Sequence, residues 1–164
     1  MGESVIAAIA LGSNLGDRQS HLEFACSRLQ LLLSNLHVSP FQQTAPQGVA
    51  TAQPDFLNAA AVGETALTAG GLLRALLDIE LMRGRERPHP NAPRTLDLDL
   101  ILFGDEIVDQ PGLRVPHPRF RQRAFVLEPL AEIAPDLRDP LTGRTIRELR
   151  DARAEARAYE SSRE

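Results

Sequence analysis

Apolar and polar positions alternate along Arg94–Gly104, RTLDLDLILFG, where Leu96, Leu98, Leu100 and Leu102 are interleaved with Asp97, Asp99, Ile101 and Phe103. Successive side chains of a strand point to opposite faces, so this spacing predicts a strand with four leucines on one face and both aspartates on the other. Val5–Gly12 (VIAAIALG) is a continuous apolar run ended by glycine and predicts a strand buried on both faces. After the turn SNLGDR, Leu22, Cys26, Leu29 and Leu32/Leu33 recur at helical spacing. NLHVSPFQQT and FLNAAAVGET read as second and third strands, and Thr68 is placed to cap a helix with Leu72, Leu76 and Ile79 on one stripe. Cys26 falls on the apolar stripe of its helix and is expected in the core.

Two loops rich in proline, glycine or arginine interrupt this pattern: APQGVATAQPDF, and Arg85–Pro93, RERPHPNAP. Beyond Gly104, GDE predicts a hairpin turn into IVD, VPHPRFRQR a further loop, and AFVLEPLAEIAP a short helix. From Arg138 the pattern weakens, so residues 1–137 are expected to form the domain core and 138–164 a weak helix or disordered tail. The order strand–helix–strand–strand–helix–strand predicts an α+β fold, a ferredoxin-like antiparallel sheet with helices packed on one face.

Composition narrows the function. The chain has 164 residues, sufficient for one domain with a core, and is 43% hydrophobic and 24% charged. A net charge of −4 argues against nucleic acid as a partner, and no apolar run is long enough to span a membrane. The single cysteine, Cys26, excludes an intramolecular disulfide framework and suits a reducing compartment, so a cytoplasmic protein is expected; a monomer is expected as well. All 18 basic residues are arginine, and eight of them lie between Arg83 and Arg123, against six acids.

The paired aspartates need an explanation. Two residues along a strand span about 6.6 Å, and like charges at that distance repel by roughly 2 kcal/mol at an effective dielectric of about 20. A divalent cation removes that repulsion. Two hard oxygen donors, completed by water and phosphate oxygens, suit magnesium. Carboxylates near several loop arginines are the groups phosphoryl transfer uses, the metal bridging phosphates and guanidinium taking up developing charge. Glycine-rich phosphate cradles are missing: neither G-x-G-x-x-G nor G-x-x-x-x-G-K-[ST] occurs, and Gly12-Ser13-Asn14 reads as a tight turn that clears space beside a nucleotide.

PRTLDLDLILFG, together with VPHP, FVLEPLAEIAP, ALGSNLGD and QPDFLNAA, resembles the 6-hydroxymethyl-7,8-dihydropterin pyrophosphokinase family of folate biosynthesis, over roughly residues 5–137. The resemblance implies ATP and a reduced pterin alcohol as substrates, two Mg²⁺ ions, and transfer of pyrophosphate with release of AMP. It implies that Asp97 and Asp99 hold the metal ions and that Arg85 and Arg94 act on the triphosphate. Arg87, His117, Arg123, Leu100 and Leu113 would then contact the nucleotide. Thr44, Pro46, Gln47, Phe56, Asn58 and Phe125 would form the pterin pocket, Phe56 and Phe125 stacking on the bicyclic ring and Asn58 matching its donor–acceptor edge. Two positions depart from the family. Pro118 stands where some relatives have an aromatic residue. Pro90-Asn91-Ala92 occupies the stretch where several relatives carry a basic residue and a tryptophan, and this chain has no tryptophan. Two rivals remain: an RNA-binding module on the same fold, whose interleaved aromatic and basic strands this chain lacks, and a metal-dependent phosphohydrolase using the same aspartate pair, which would need a water-activating group and no pterin pocket.

Overall fold

A computed structural model describes residues 3–44, 55–84 and 95–162. The elements in chain order are β1 (Val5–Ser13), α1 (Arg18–Leu32), β2 (Ser34–Val38), β3 (Gln42–Thr44), β4 (Phe56–Thr65), α2 (Ala69–Met82), β5 (Asp97–Phe103), β6 (Val108–Gln110), β7 (Leu113–Val115), a 3₁₀ turn (Phe120–Gln122), α3 (Ala124–Ile133) and α4 (Ile146–Ser162). The main sheet has the order β2-β4-β1-β5, with β3 also pairing with β4 and every pairing antiparallel. This is the expected α+β, ferredoxin-like sheet, and NLHVSPFQQT is divided between β2 and β3.

Local chemistry sets the ends of the helices. Asp17 accepts the Ser20 amide at 3.1 Å to cap α1, and Thr68 Oγ1, the cap the sequence predicts, accepts the Gly71 amide at 3.0 Å at the start of α2. Leu22, Ala25 and Leu29 of α1 and Leu72, Leu76 and Ile79 of α2 are buried, and Cys26 is partly buried against them. They cover one face of the sheet, where Ala7, Ile9, Leu11, Ala59, Ala61, Leu96, Leu98 and Leu100 project.

The strand holding the paired aspartates departs from simple alternation. Ile9 pairs with Leu100 but Ala8 pairs with Leu102, so β5 holds one extra residue there. A bulge reverses the faces beyond it. Leu96, Leu98 and Leu100 stay on the α1/α2 side, Phe103 joins them, and Leu102 packs with Ile101 on the opposite side. The expectation of four leucines on one face thus holds for three.

The opposite face is covered too, which corrects the expectation of helices on one face only. Ala8, Ala10, Ala60, Ile101 and Leu102 pack against Phe120, Val126, Leu127, Leu130 and Ala131, and against Ile146 and Leu149 of α4. The alanines keep this side of the sheet shallow, which lets α3 approach. The stretch 138–164, expected as a weak helix or tail, contains a 17-residue helix with Ile146 0% and Leu149 6% exposed. IVD also differs from expectation: β6 pairs with β7 instead of folding back on β5.

Candidate functional site

The side of the sheet covered by α3 opens into a cavity where the β1 side chains shrink to Ala10 and Gly12. Ala10, Leu11 and Gly12 of β1, Thr44 of β3, Phe56 and Asn58 of β4, Asp97 and Asp99 of β5, Arg123 and Phe125 line it. Strand register explains the arrangement. Gly12 lies opposite Asn58 on one side and Asp97 on the other, while Ala10 lies between Ala60 and Asp99. Asn58 and Asp97 thus stand in one row across the sheet, and the glycine between them leaves the space that a side chain would fill.

Asn58 is 5% exposed and its Nδ2 donates to Thr44 Oγ1, which joins β3 to β4 beneath the cavity and leaves the amide oxygen on the Gly12 side. An added Cβ at Gly12 would lie 3.2 Å from Asn58 Oδ1 and 3.6 Å from Phe56 Cδ1. Gly12 therefore belongs to the cavity wall within β1, not to a tight turn. The Arg123 guanidinium lies 5.6 Å from the centroid of Phe125, so the entrance to α3 brings a cation and an aromatic ring to the same rim.

A second groove runs along the outer edge of β5. It is lined by Leu73, Leu98, Asp99, Leu100, Gly112, Leu113, Arg114, His117 and Pro118. β5 is an edge strand, so a residue on it can be reached from both sides, and Asp99 lines both the cavity and the groove. The His117 amide donates to Ile101 O at 2.8 Å, which fixes the residue beside β5. Its Nδ1 accepts the Arg119 amide at 3.1 Å, so the neutral ring carries its proton on Nε2. Burial, then the charges of Arg123 and Arg119, push the His117 pKa down to about 4 against the opposing pull of Asp97, so the ring is a neutral donor at pH 7.

The structure thus brings together Thr44, Phe56, Asn58, Asp97, Asp99, Arg123 and Phe125 in one cavity and Asp99, Leu100, Leu113 and His117 along the adjoining groove. Pro46, Gln47, Arg85, Arg87 and Arg94 lie outside the described residues. The sequence reading missed Ala10, Gly12 and Leu11 as cavity wall and Leu73 and Arg114 as groove wall. For Gly12 the available signal was its place at the end of an apolar strand, and for Leu73 its place as an apolar residue directly after the core-facing Leu72. No cluster of three or more His, Cys, Asp or Glu that could hold a metal occurs among the described residues. The two aspartates remain a hard, all-oxygen donor pair that fits Mg²⁺ when phosphate and water complete its shell.

A family model described as 7,8-dihydro-6-hydroxymethylpterin-pyrophosphokinase matches residues 8–135. A 2-amino-4-hydroxy-6-hydroxymethyldihydropteridine pyrophosphokinase of Pseudomonas aeruginosa is 46% identical over 143 residues, covering 86% of this chain and 87% of that protein. A protein of the same name from Synechocystis is 41% identical over 145 residues, covering 87% and 73%. Among solved structures, a Plasmodium falciparum HPPK-DHPS chain superposes with a TM-score of 0.73 at 15% identity, a likeness of fold, and this chain spans 44% of that longer one. The chain belongs to the 7,8-dihydro-6-hydroxymethylpterin-pyrophosphokinase family.

Proposed function

We propose that this chain transfers a pyrophosphoryl group from MgATP to the hydroxymethyl oxygen of 6-hydroxymethyl-7,8-dihydropterin, releasing AMP, in folate biosynthesis. Family membership and 46% identity to a named pyrophosphokinase support the reaction. The observation that carries the assignment of residues is that Asp99 lines both the aromatic cavity and the groove along β5, with Asp97 beside it.

In this reading the pterin lies in the cavity. Asn58 and Thr44 read the ring edge, Phe56 and Phe125 flank its faces, and Pro46 and Gln47 complete the pocket. The adenine and ribose lie in the groove against Leu100 and Leu113, and His117 offers its Nε2–H to the nucleotide. The triphosphate crosses at Asp97 and Asp99, which would hold two Mg²⁺ ions. Bound there, magnesium would neutralise and orient the phosphates. Arg123, at the cavity rim, faces the same region, and Arg85, Arg94 and Arg87 are assigned to the triphosphate. The pterin hydroxyl oxygen forms a bond to the β-phosphorus as the bond from that phosphorus to the α-phosphate's bridging oxygen breaks; the hydroxyl proton is released to solvent, the β and γ phosphates stay on the pterin and AMP leaves. His117 Nδ1, the one lone-pair nitrogen of the neutral ring, is taken up by the Arg119 amide, and a pKa of about 4 makes the ring a weak base, so rate comes from positioning and charge. Apolar walls exclude competing water. A monomer in the cytoplasm suits two small substrates.

Equilibrium binding tests the division into two sites. Asn58→Ala is expected to weaken pterin binding by about tenfold or more, by leaving a buried ring edge unpaired. It should leave binding of the α,β-methylene analogue of ATP near wild type, and His117→Ala should do the reverse. Equal loss of both ligands in either variant would contradict the assignment.

A further inference from the structure

Glu80 is an ionisable side chain that the reaction described above does not use, and it is 2% exposed on α2, next to the buried Ile79. A carboxylate removed from water costs several kcal/mol unless hydrogen bonds compensate it. Its Oε2 accepts the backbone N–H of Leu98 at 2.6 Å. Leu98 is the residue between Asp97 and Asp99.

The register shows why that amide is available. β5 pairs on one side with β1, Leu11 opposite Leu98, and forms the sheet edge on the other side. An edge strand presents outward N–H groups that no neighbouring strand takes up. At Leu98 the Glu80 side chain takes that place. The bond also ties α2 to β5 across 18 positions of sequence, at the base of the connection between them.

We propose that Glu80 is a positioning residue for the aspartate pair: by holding the peptide between Asp97 and Asp99 it sets the separation and direction of the two carboxylates before a cation arrives. This rests on the reading of Asp97 and Asp99 as cation ligands. Groups that orient metal ligands typically change metal affinity by 10- to 100-fold when removed. Glu80→Met fills the same buried space without an acceptor, and Glu80→Gln keeps an acceptor oxygen for the Leu98 amide.

The test measures Mn²⁺ binding by electron paramagnetic resonance in the presence of α,β-methylene ATP, alongside pterin binding and turnover. Glu80→Met should bind Mn²⁺ about tenfold more weakly and lose about tenfold in kcat, while its pterin affinity stays within about threefold of wild type. Glu80→Gln should return both quantities to within about threefold of wild type. If the Met variant does not fold, the Gln variant carries the test, and a tenfold loss of Mn²⁺ affinity in it would overturn the proposal. Wild-type Mn²⁺ binding in Glu80→Met would also overturn it. So would a parallel loss of pterin and Mn²⁺ affinity, which marks a structural role alone. Asp97→Asn, measured alongside, separates the two levels. If it binds Mn²⁺ as wild type does, the ligand assignment fails and the positioning role fails with it; if it loses Mn²⁺ while Glu80→Met does not, only the role of Glu80 fails.

Discussion

A methyl group on Gly12 would meet Asn58 Oδ1 at 3.2 Å, close enough that the amide must shift by a few tenths of an ångström. The φ of Gly12 is not in the left-handed region, so the backbone tolerates alanine and the cost falls on the cavity. Gly12→Ala is therefore expected to melt near wild type and to weaken pterin binding by about tenfold, the usual effect of one methyl group in a closely fitted pocket. Fluorescence titration of the pterin checks this; unchanged affinity would mean that the ring lies elsewhere. At this scale much of the site was legible. Two aspartates at strand spacing repel, and that cost of like charges is visible in the sequence. Gly12 was harder to assign, because a glycine at the end of an apolar run reads equally well as a turn. Only the pairing of β1 with β4 and β5 shows that it lies between Asn58 and Asp97.

The C-terminal helix shows what element-level patterns hide. α4 was expected to be frayed because it is highly charged and has few large apolar residues. Its start is nevertheless marked by a capping box in the sequence TIRE: the Thr145 amide donates to Glu148 Oε1 at 3.0 Å and the Glu148 amide donates to Thr145 Oγ1 at 3.2 Å. Two buried side chains then anchor it. Leu149→Ala is expected to cost about 2–4 kcal/mol in urea unfolding, as for other buried leucines, whereas a detached tail would show no change. The turn before α4 holds a second anchor. Asp139 is 0% exposed, and Arg121 donates to it from Nε at 2.7 Å and Nη2 at 3.0 Å. Burial pushes the Asp139 pKa up, but hydrogen bonds from Arg121, Thr142 and the Leu141 amide outweigh it and hold the pKa below the ordinary carboxylate value. A lowered folded-state pKa stabilises the fold above the unfolded value, and that stability is lost as pH falls through the folded value. Asp139→Asn should thus be less stable by about 3 kcal/mol at pH 7, with the difference shrinking below pH 4. A difference independent of pH would contradict the charged pairing.

For the whole molecule, the sheet order followed from the succession of elements, since strand–helix–strand–strand–helix–strand has few antiparallel solutions. The helical layer on the second face was legible only in part. The apolar run VIAAIALG predicts that β1 is buried on both faces, as it is, but Ala8, Ala10 and Ala60 do not say which element covers the second face, and the bulge in β5 that turns Leu102 to that side leaves no mark in the sequence. That layer shapes the cavity. α3 brings Arg123 and Phe125 to the cavity, and the cavity meets the edge groove at Asp99. In the proposed reaction a pterin on one side and a nucleotide on the other meet at the aspartate pair, with attack on the β-phosphorus. Phosphorus NMR of the wild-type protein with MgATP and 6-hydroxymethyl-7,8-dihydropterin, repeated with Asp97→Asn and Asp99→Asn, tests it most directly. The account predicts AMP and a pterin diphosphate rising together in the wild type, and a rate at least about a hundredfold lower in each variant, with the fold intact. ADP or free phosphate without a pterin product, or full turnover in either variant at saturating magnesium, would contradict it.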